Sequence, residues 1–187
     1  IEETTGINLE NQGLYGEIPP EIGDLINLHS LHLGGNNFSG VIPSEIGNLV
    51  QMGDLILGGN NFEGEIPDAI YDLTNLGVLN LGSNNFSGDI SSEIGNLTNL
   101  AYFILADNQF TGAMPSEIGA LSELRHVILG QNDFSGELPS TLGDLQNLEI
   151  LFIENNNFEG EFPDIFSNNS NFNNLNASDN HFSSISE

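Results

Sequence analysis

The side chains here that are equipped for chemistry are few in kind: four His, one Arg and 27 Asp or Glu. Nucleophilic or acid–base catalysis needs a reactive group and a partner at a fixed spacing. No Ser lies in a G-x-S-x-G elbow. Phosphate-loop, metalloprotease and calcium-loop spacings are also missing from the sequence. Carboxylates such as Glu149 and Glu154 fall near each other, but at this acid content such pairs are unavoidable. The expectation is no enzyme, no cofactor and no metal site. What is left is the chemistry of non-covalent contact. Arg125, the single basic side chain, offers one anion or carboxylate contact beside Glu149 and Asp107. Ile56, Val78, Tyr102, Ile104, Ile128, Ile150 and Phe152 offer apolar contact, with His126 among them.

Their spacing shows what must position them. Ile56, Ile104, Ile128 and Phe152 are separated by multiples of 24 residues, and so are Val78, Tyr102, His126 and Ile150. Gly16, Gly40, Gly64, Gly88, Gly112, Gly136 and Gly160 keep the same step of 24. So do Asn36 through Asn180, with Gln12 ahead of them, and Phe38 through Phe182, with Leu14 ahead of them. Self-similarity at a fixed period is the mark of a solenoid, in which each repeat buries its apolar side against its neighbours.

One repeat, Leu76 to Leu100, reads LGVLNLGSNNFSGDISSEIGNLTNL. Leu76, Leu79 and Leu81 give LxxLxL, whose second half alternates at period 2 and predicts a short strand. Asn84 then serves backbone groups left unpaired at the turn, so stacked Asn side chains should form a ladder. Phe86 points inward, and Gly88 takes a place where φ is positive or a side chain would clash. The column Pro19, Pro43, Pro67, Pro115, Pro139, Pro163 starts a turn or a short helical piece, with Ser91 in place of Pro in this repeat.

This pattern resembles the plant-type leucine-rich repeat, LxxLxLxxNxFxGxIPxxIGxL, from about Gly6 to Phe182. The resemblance implies an α/β solenoid: a right-handed superhelix with a parallel β-sheet on its concave face, a short second sheet and 3₁₀ turns on its convex face. It implies one domain over residues 1–187. Within it, 1–15 form an N-terminal cap or first partial repeat, 16–160 the regular 24-residue repeats and 161–187 a degenerate C-terminal repeat or cap. Proteins of this family are mostly receptor ectodomains and secreted recognition or inhibitor proteins. This chain departs from them in lacking Cys altogether, and so lacks paired-Cys caps, disulfides and thiol chemistry. Its last repeat also decays. Asn169, Phe172 and Ala177 replace Leu, Phe162 and Phe166 replace Ile, and Ser184 replaces Gly, which reads as a polar end facing water.

The formal net charge is −26, which repels nucleic acid and anionic lipid. No apolar run approaches the ~20 residues that span a membrane. The chain starts at Ile1 without Met or a leader, as a mature or excised segment would. On the repeat phase, only Glu10, Asp54, Asp107, Glu149, Glu154 and Asp179 fall in or beside the concave columns. His32 and His126 are four repeats apart, roughly 19 Å at strand spacing, so the His residues read as surface groups rather than one cluster.

Outward positions on the concave strands are free of packing duty, so function is sought there. The expected site is an exposed apolar patch of Ile56, Val78, Tyr102, Ile104, Ile128, Ile150 and Phe152, with Arg125 and His126, beside an open track of Gly and Ala. The expected role is a non-catalytic extracellular recognition module that holds a protein, peptide or glycan. A homodimer through the same patch is a second use of it. The competing reading makes the acidic convex surface the working face of a structural or adhesive protein that binds calcium-rich matrix, mineral or ice. Asn96 and Asn168 are the better N-glycosylation acceptors among the N-x-[ST] sites.

Overall fold

The computed structural model describes residues 4–165 and 169–185. Eight three-residue strands of these form one parallel sheet in chain order: Gly6–Asn8, Ser30–His32, Asp54–Ile56, Val78–Asn80, Tyr102–Ile104, His126–Ile128, Ile150–Phe152 and Asn174–Asn176. Register follows the 24-residue period, so Tyr102 lies beside His126 and Ile104 beside Ile128. In the six strands from Ser30–His32 to Ile150–Phe152 the middle residue is buried and its two neighbours are half-buried. That alternation is the strand period applied to a sheet with one face in the core.

Shorter parallel ladders occupy a second side. Tyr15–Gly16, Asn37–Gly40, Asn61–Gly64, Asn85–Asp89 and Gln109–Thr111 make one sheet. Ser135–Glu137, Asn157–Phe162 and His181–Ile185 make another. The convex side carries 3₁₀ turns at Pro20–Asp24, Ser44–Asn48, Asp68–Asp72, Ser92–Asn96, Ser116–Ala120 and Ser140–Asp144. No α-helix occurs among the described residues. In five of these turns the residue before the turn is Pro in extended conformation, where the fixed φ of the ring starts the turn. No helix among the described residues is long and apolar enough to cross a membrane.

Inside, the Phe column stacks from Phe38 to Phe182 with ring centroids 5.9 to 6.5 Å apart. Beside it runs the Asn ladder. Asn60 is typical: its Nδ2 donates to the Leu33 and Leu57 carbonyls at 3.0 and 2.9 Å, and its Oδ1 accepts from the Phe38 N–H at 3.0 Å. Each such amide therefore joins its own turn to the preceding repeat. Gly88 meets both of its expected constraints, with φ at +83° and a Cβ position only 2.7 Å from the Glu65 Cγ.

The two ends differ from the middle. At the edge strand Leu9 is 42 % exposed, although Leu33 to Ile153 in its column are buried. Gln12 ends the ladder by donating to the nearby Glu10 carbonyl. At the other end Asn169 is buried rather than facing water. Its Nδ2 donates to the Leu145 and Leu148 carbonyls at 3.0 and 2.7 Å, and its Oδ1 accepts from the Asn171 and Phe172 N–H groups at 2.9 and 3.1 Å. A Leu position of the repeat has become a polar tie between loops. Phe166 lies outside the described residues.

Candidate functional site

The outward concave side chains sit where the repeat phase puts them, but with less exposure than a free patch would have. Ile56, Val78, Tyr102, Ile104, His126, Ile128, Ile150 and Phe152 are all half-buried. Each is flanked by its counterparts on strands ~4.8 Å away, which shield its sides and leave its tip to solvent. The large apolar side chains most open to water lie elsewhere, at Tyr15, Ile26, Val41, Val50 and Leu9. From Tyr102 to Phe152 the concave strip is thus a continuous, laterally packed surface. Asn80 interrupts its Ile column and turns its Oδ1 back to the Gly82 N–H at 3.1 Å.

Polar groups gather at one part of this strip. The Tyr102 and His126 rings meet edge to face, with centroids 4.9 Å apart. His126 Nε2 lies 3.8 Å from one Glu149 oxygen, and Arg125 Nη1 donates to the other at 3.3 Å. One carboxylate therefore joins the aromatic pair to the single Arg. Arg125 remains exposed, yet its charge already has a partner. At the other end His32 Nε2 lies 3.7 Å from Asp54. Both His are partly exposed on the concave face, their side chains retaining 22 % and 26 % of full exposure, and each lies near one carboxylate.

The Gly and Ala track is partly roofed rather than open. A Cβ on Gly58 would stand 2.8 Å from the Asn80 Oδ1, and one on Gly130 would stand 2.7 Å from the Glu154 carboxyl carbon. Glu10 approaches Gly34 in the same way. Glu154 Oε2 is buried there and has no hydrogen-bond partner. A cation in reach of it would restore what burial has removed. On the outer side of the track, Asn11, Ser83, Asp107, Gln131, Asn155 and Asp179 hold positive φ. The sequence reading did not single out that column, though its mix of Asn, Asp, Ser and Gly is the signal for left-handed backbone.

The described residues contain no group of three or more His, Asp and Glu arranged to hold a metal ion. The turn-side acids Glu17, Glu65, Asp89 and Glu137 lie over Gly40, Gly88, Gly112 and Gly160 of the following repeats. Asn96 is exposed at the end of its 3₁₀ turn, open to modification, while Asn168 lies outside the described residues.

With the architecture in view, a leucine-rich-repeat family model matches residues 27–49, 75–97, 123–145 and 147–169. The chain is a leucine-rich-repeat solenoid. A comparison with curated protein sequences found no match. Solved structures give many. The plant peptide hormone receptor RGFR1, in complex with RGF2, superposes with a TM-score of 0.91 at 28 % identity, over 97 % of this chain and 29 % of that one. PEPR1 with AtPEP1 gives 0.90 at 33 % identity, over 95 % and 25 %. The Arabidopsis receptor kinase HAESA ectodomain, in complex with an N-terminally extended IDA peptide hormone ligand, gives 0.86 at 35 % identity, over 90 % and 28 %. The solenoid thus spans between a quarter and a third of the length of these receptor chains. RGFR1 is a plant peptide hormone receptor and HAESA a receptor kinase whose ectodomain holds a peptide hormone, and the repeat pattern of this chain is of their plant type.

Proposed function

We propose that this solenoid is a non-catalytic extracellular recognition module that holds a peptide or a peptide-like protein segment on its concave face. The observation that carries the reading is the continuous strip of Tyr102, Ile104, Ile128, Ile150 and Phe152 on three adjacent strands, with Ile56 and Val78 extending it. These residues have no part in the core, yet they are apolar where a solvated face would be polar. Lateral packing already restrains their stems, so binding costs less side-chain entropy. Peptide complexes of similar solenoids support the same reading. In it, Tyr102 and His126 supply a polar-edged aromatic contact, and Arg125 with Glu149 forms the polar rim. Asn96 is proposed as a glycan acceptor on the convex side, clear of the strip.

The test is a binding screen against secreted peptides, proteins and glycans. It compares the wild type with an Ile104→Asn, Phe152→Asn double variant whose circular dichroism matches. Ligands lost by the variant support the concave reading. Ligands that survive it, or that need calcium, put the acidic convex surface first. Self-association lost by the variant would make the partner a second copy.

A further inference from the structure

We propose that the concave strip selects a cationic ligand: an extended peptide carrying Lys or Arg between apolar side chains. This rests on the concave reading above and adds the chemistry of the occupant. Charge on this face is one-sided. Arg125 is bound to Glu149 at 3.3 Å, and the same carboxylate stands 3.8 Å from His126. The chain has no other Lys or Arg. No unpaired Arg or Lys is therefore left on the face to receive a ligand carboxylate. The acids, by contrast, keep unused capacity. Asp107 is exposed and, among the described residues, its side chain accepts only from Ser83 Oγ, while Glu154, whose Oε2 is buried without a partner over Gly130, gains one by turning outward to a ligand cation.

The arrangement of these acids matters more than their number. Glu154 and Asp107 lie on the turn side of the strip, and Glu149 lies on the loop side, so Ile104, Ile128 and Phe152 run between carboxylates. From Ile56 to Phe152 the strip crosses four strand spacings, about 19 Å, which an extended peptide covers with on the order of six residues. Alternate side chains of such a peptide point into the strip and away from it. Apolar groups then meet the Ile and Phe tips, while the long stems of Lys or Arg reach sideways to the carboxylates.

The test uses an array of synthetic twelve-residue peptides in matched sets. Each set keeps the same apolar residues and alternates them with Lys and Arg, with Ser and Gln, or with Asp and Glu. Three proteins are compared: the wild type, a concave variant (Asp107→Asn, Glu149→Gln, Glu154→Gln) and a convex control that loses as many charges (Glu21→Gln, Glu45→Gln, Glu117→Gln). The expected result is retention of the basic sets, weakened about tenfold or more in the concave variant and changed less than about twofold in the control. The Ile104→Asn, Phe152→Asn variant should lose them too. Equal weakening in both charge variants would mean diffuse attraction to an acidic protein and would overturn the proposal. Retention of the neutral or acidic sets, sensitive to Ile104→Asn and Phe152→Asn, would overturn the cationic choice and leave the concave reading standing. Retention of no set, or retention untouched by the apolar double variant, would remove both.

Discussion

The backbone N–H of Ser91 donates to the hydroxyl of Tyr71 at 3.4 Å, and the two residues are departures from the repeat pattern that meet. Six other repeats place Pro where Ser91 stands, and so have no N–H to satisfy there. The repeats on either side of Tyr71 have Gly at its position, with Gly47 and Gly95 drawn close to the next turn. Tyr71 is the largest fully buried side chain of the solenoid. It fills the convex wall of its repeat and brings an acceptor to the N–H that the missing Pro has exposed.

This pairing predicts a coupling. Ser91 has φ of −65° and ψ of 147°, close to the −65° and 138° of Pro67, so Pro fits the backbone at Ser91. Ser91→Pro removes the donor, together with the Ser91 Oγ contact to the Glu93 N–H at 3.2 Å. Tyr71→Phe removes the acceptor. In the wild type Tyr71→Phe should cost up to about 1 kcal/mol, and beside Ser91→Pro it should cost close to nothing. Urea midpoints of the four proteins measure this. The same cost in both backgrounds would show that the contact contributes no stability.

The same hydroxyl sets an alkaline limit. Burial pushes Tyr71 up to about 12 from its ordinary 10.0; the Ser91 N–H works against that shift, while the Asp68 and Glu93 carboxylates add to it. The neutral hydroxyl is thus the form that the fold prefers. Its contribution is fully present below pH 10 and is lost as pH rises through about 12. Denaturant midpoints measured from pH 9 to 12 should fall, and Tyr71→Phe should flatten the fall. An unchanged slope in the variant would assign the alkaline loss to other groups.

Asn169→Leu would restore the repeat pattern and should nevertheless destabilise the solenoid. The change leaves the Leu145 and Leu148 carbonyls and the Asn171 and Phe172 N–H groups without their side-chain partner. The Leu145 carbonyl still accepts from the Leu148 N–H and the two N–H groups are only partly buried, so a loss of about 1–3 kcal/mol follows. Thermal melting of the variant checks it. A gain in stability would mean that Leu packing outweighs the polar tie.

Much of the fold was legible because the period averages over its copies. Phe38 to Phe182, the Asn column and Gly88 each carry one physical duty, repeated at intervals of 24 residues, and the structure gives them those duties. What the period hid were its exceptions. Tyr71 and Ser91 each look like noise in a column, and only the turn between them makes them a pair. Asn169 read as a polar end because polarity at a terminus usually faces water, whereas here hydrogen bonds pull it inward. The concave residues were legible by column but not by exposure. Strand spacing fixes which side chains stand together, while their lateral packing half-buries them. The links from Arg125 and His126 to Glu149 depend on side-chain direction, which no spacing rule carries.

The most direct measurement is carbene footprinting of the wild type, free and bound to the most strongly retained basic peptide. Recognition on the concave face predicts loss of labelling at Tyr102, Ile104, Ile128 and Phe152, with the exposed Val41 and Val50 unchanged. Protection at Val41, Val50 or the 3₁₀ turns, with the concave strip still labelled, would contradict it.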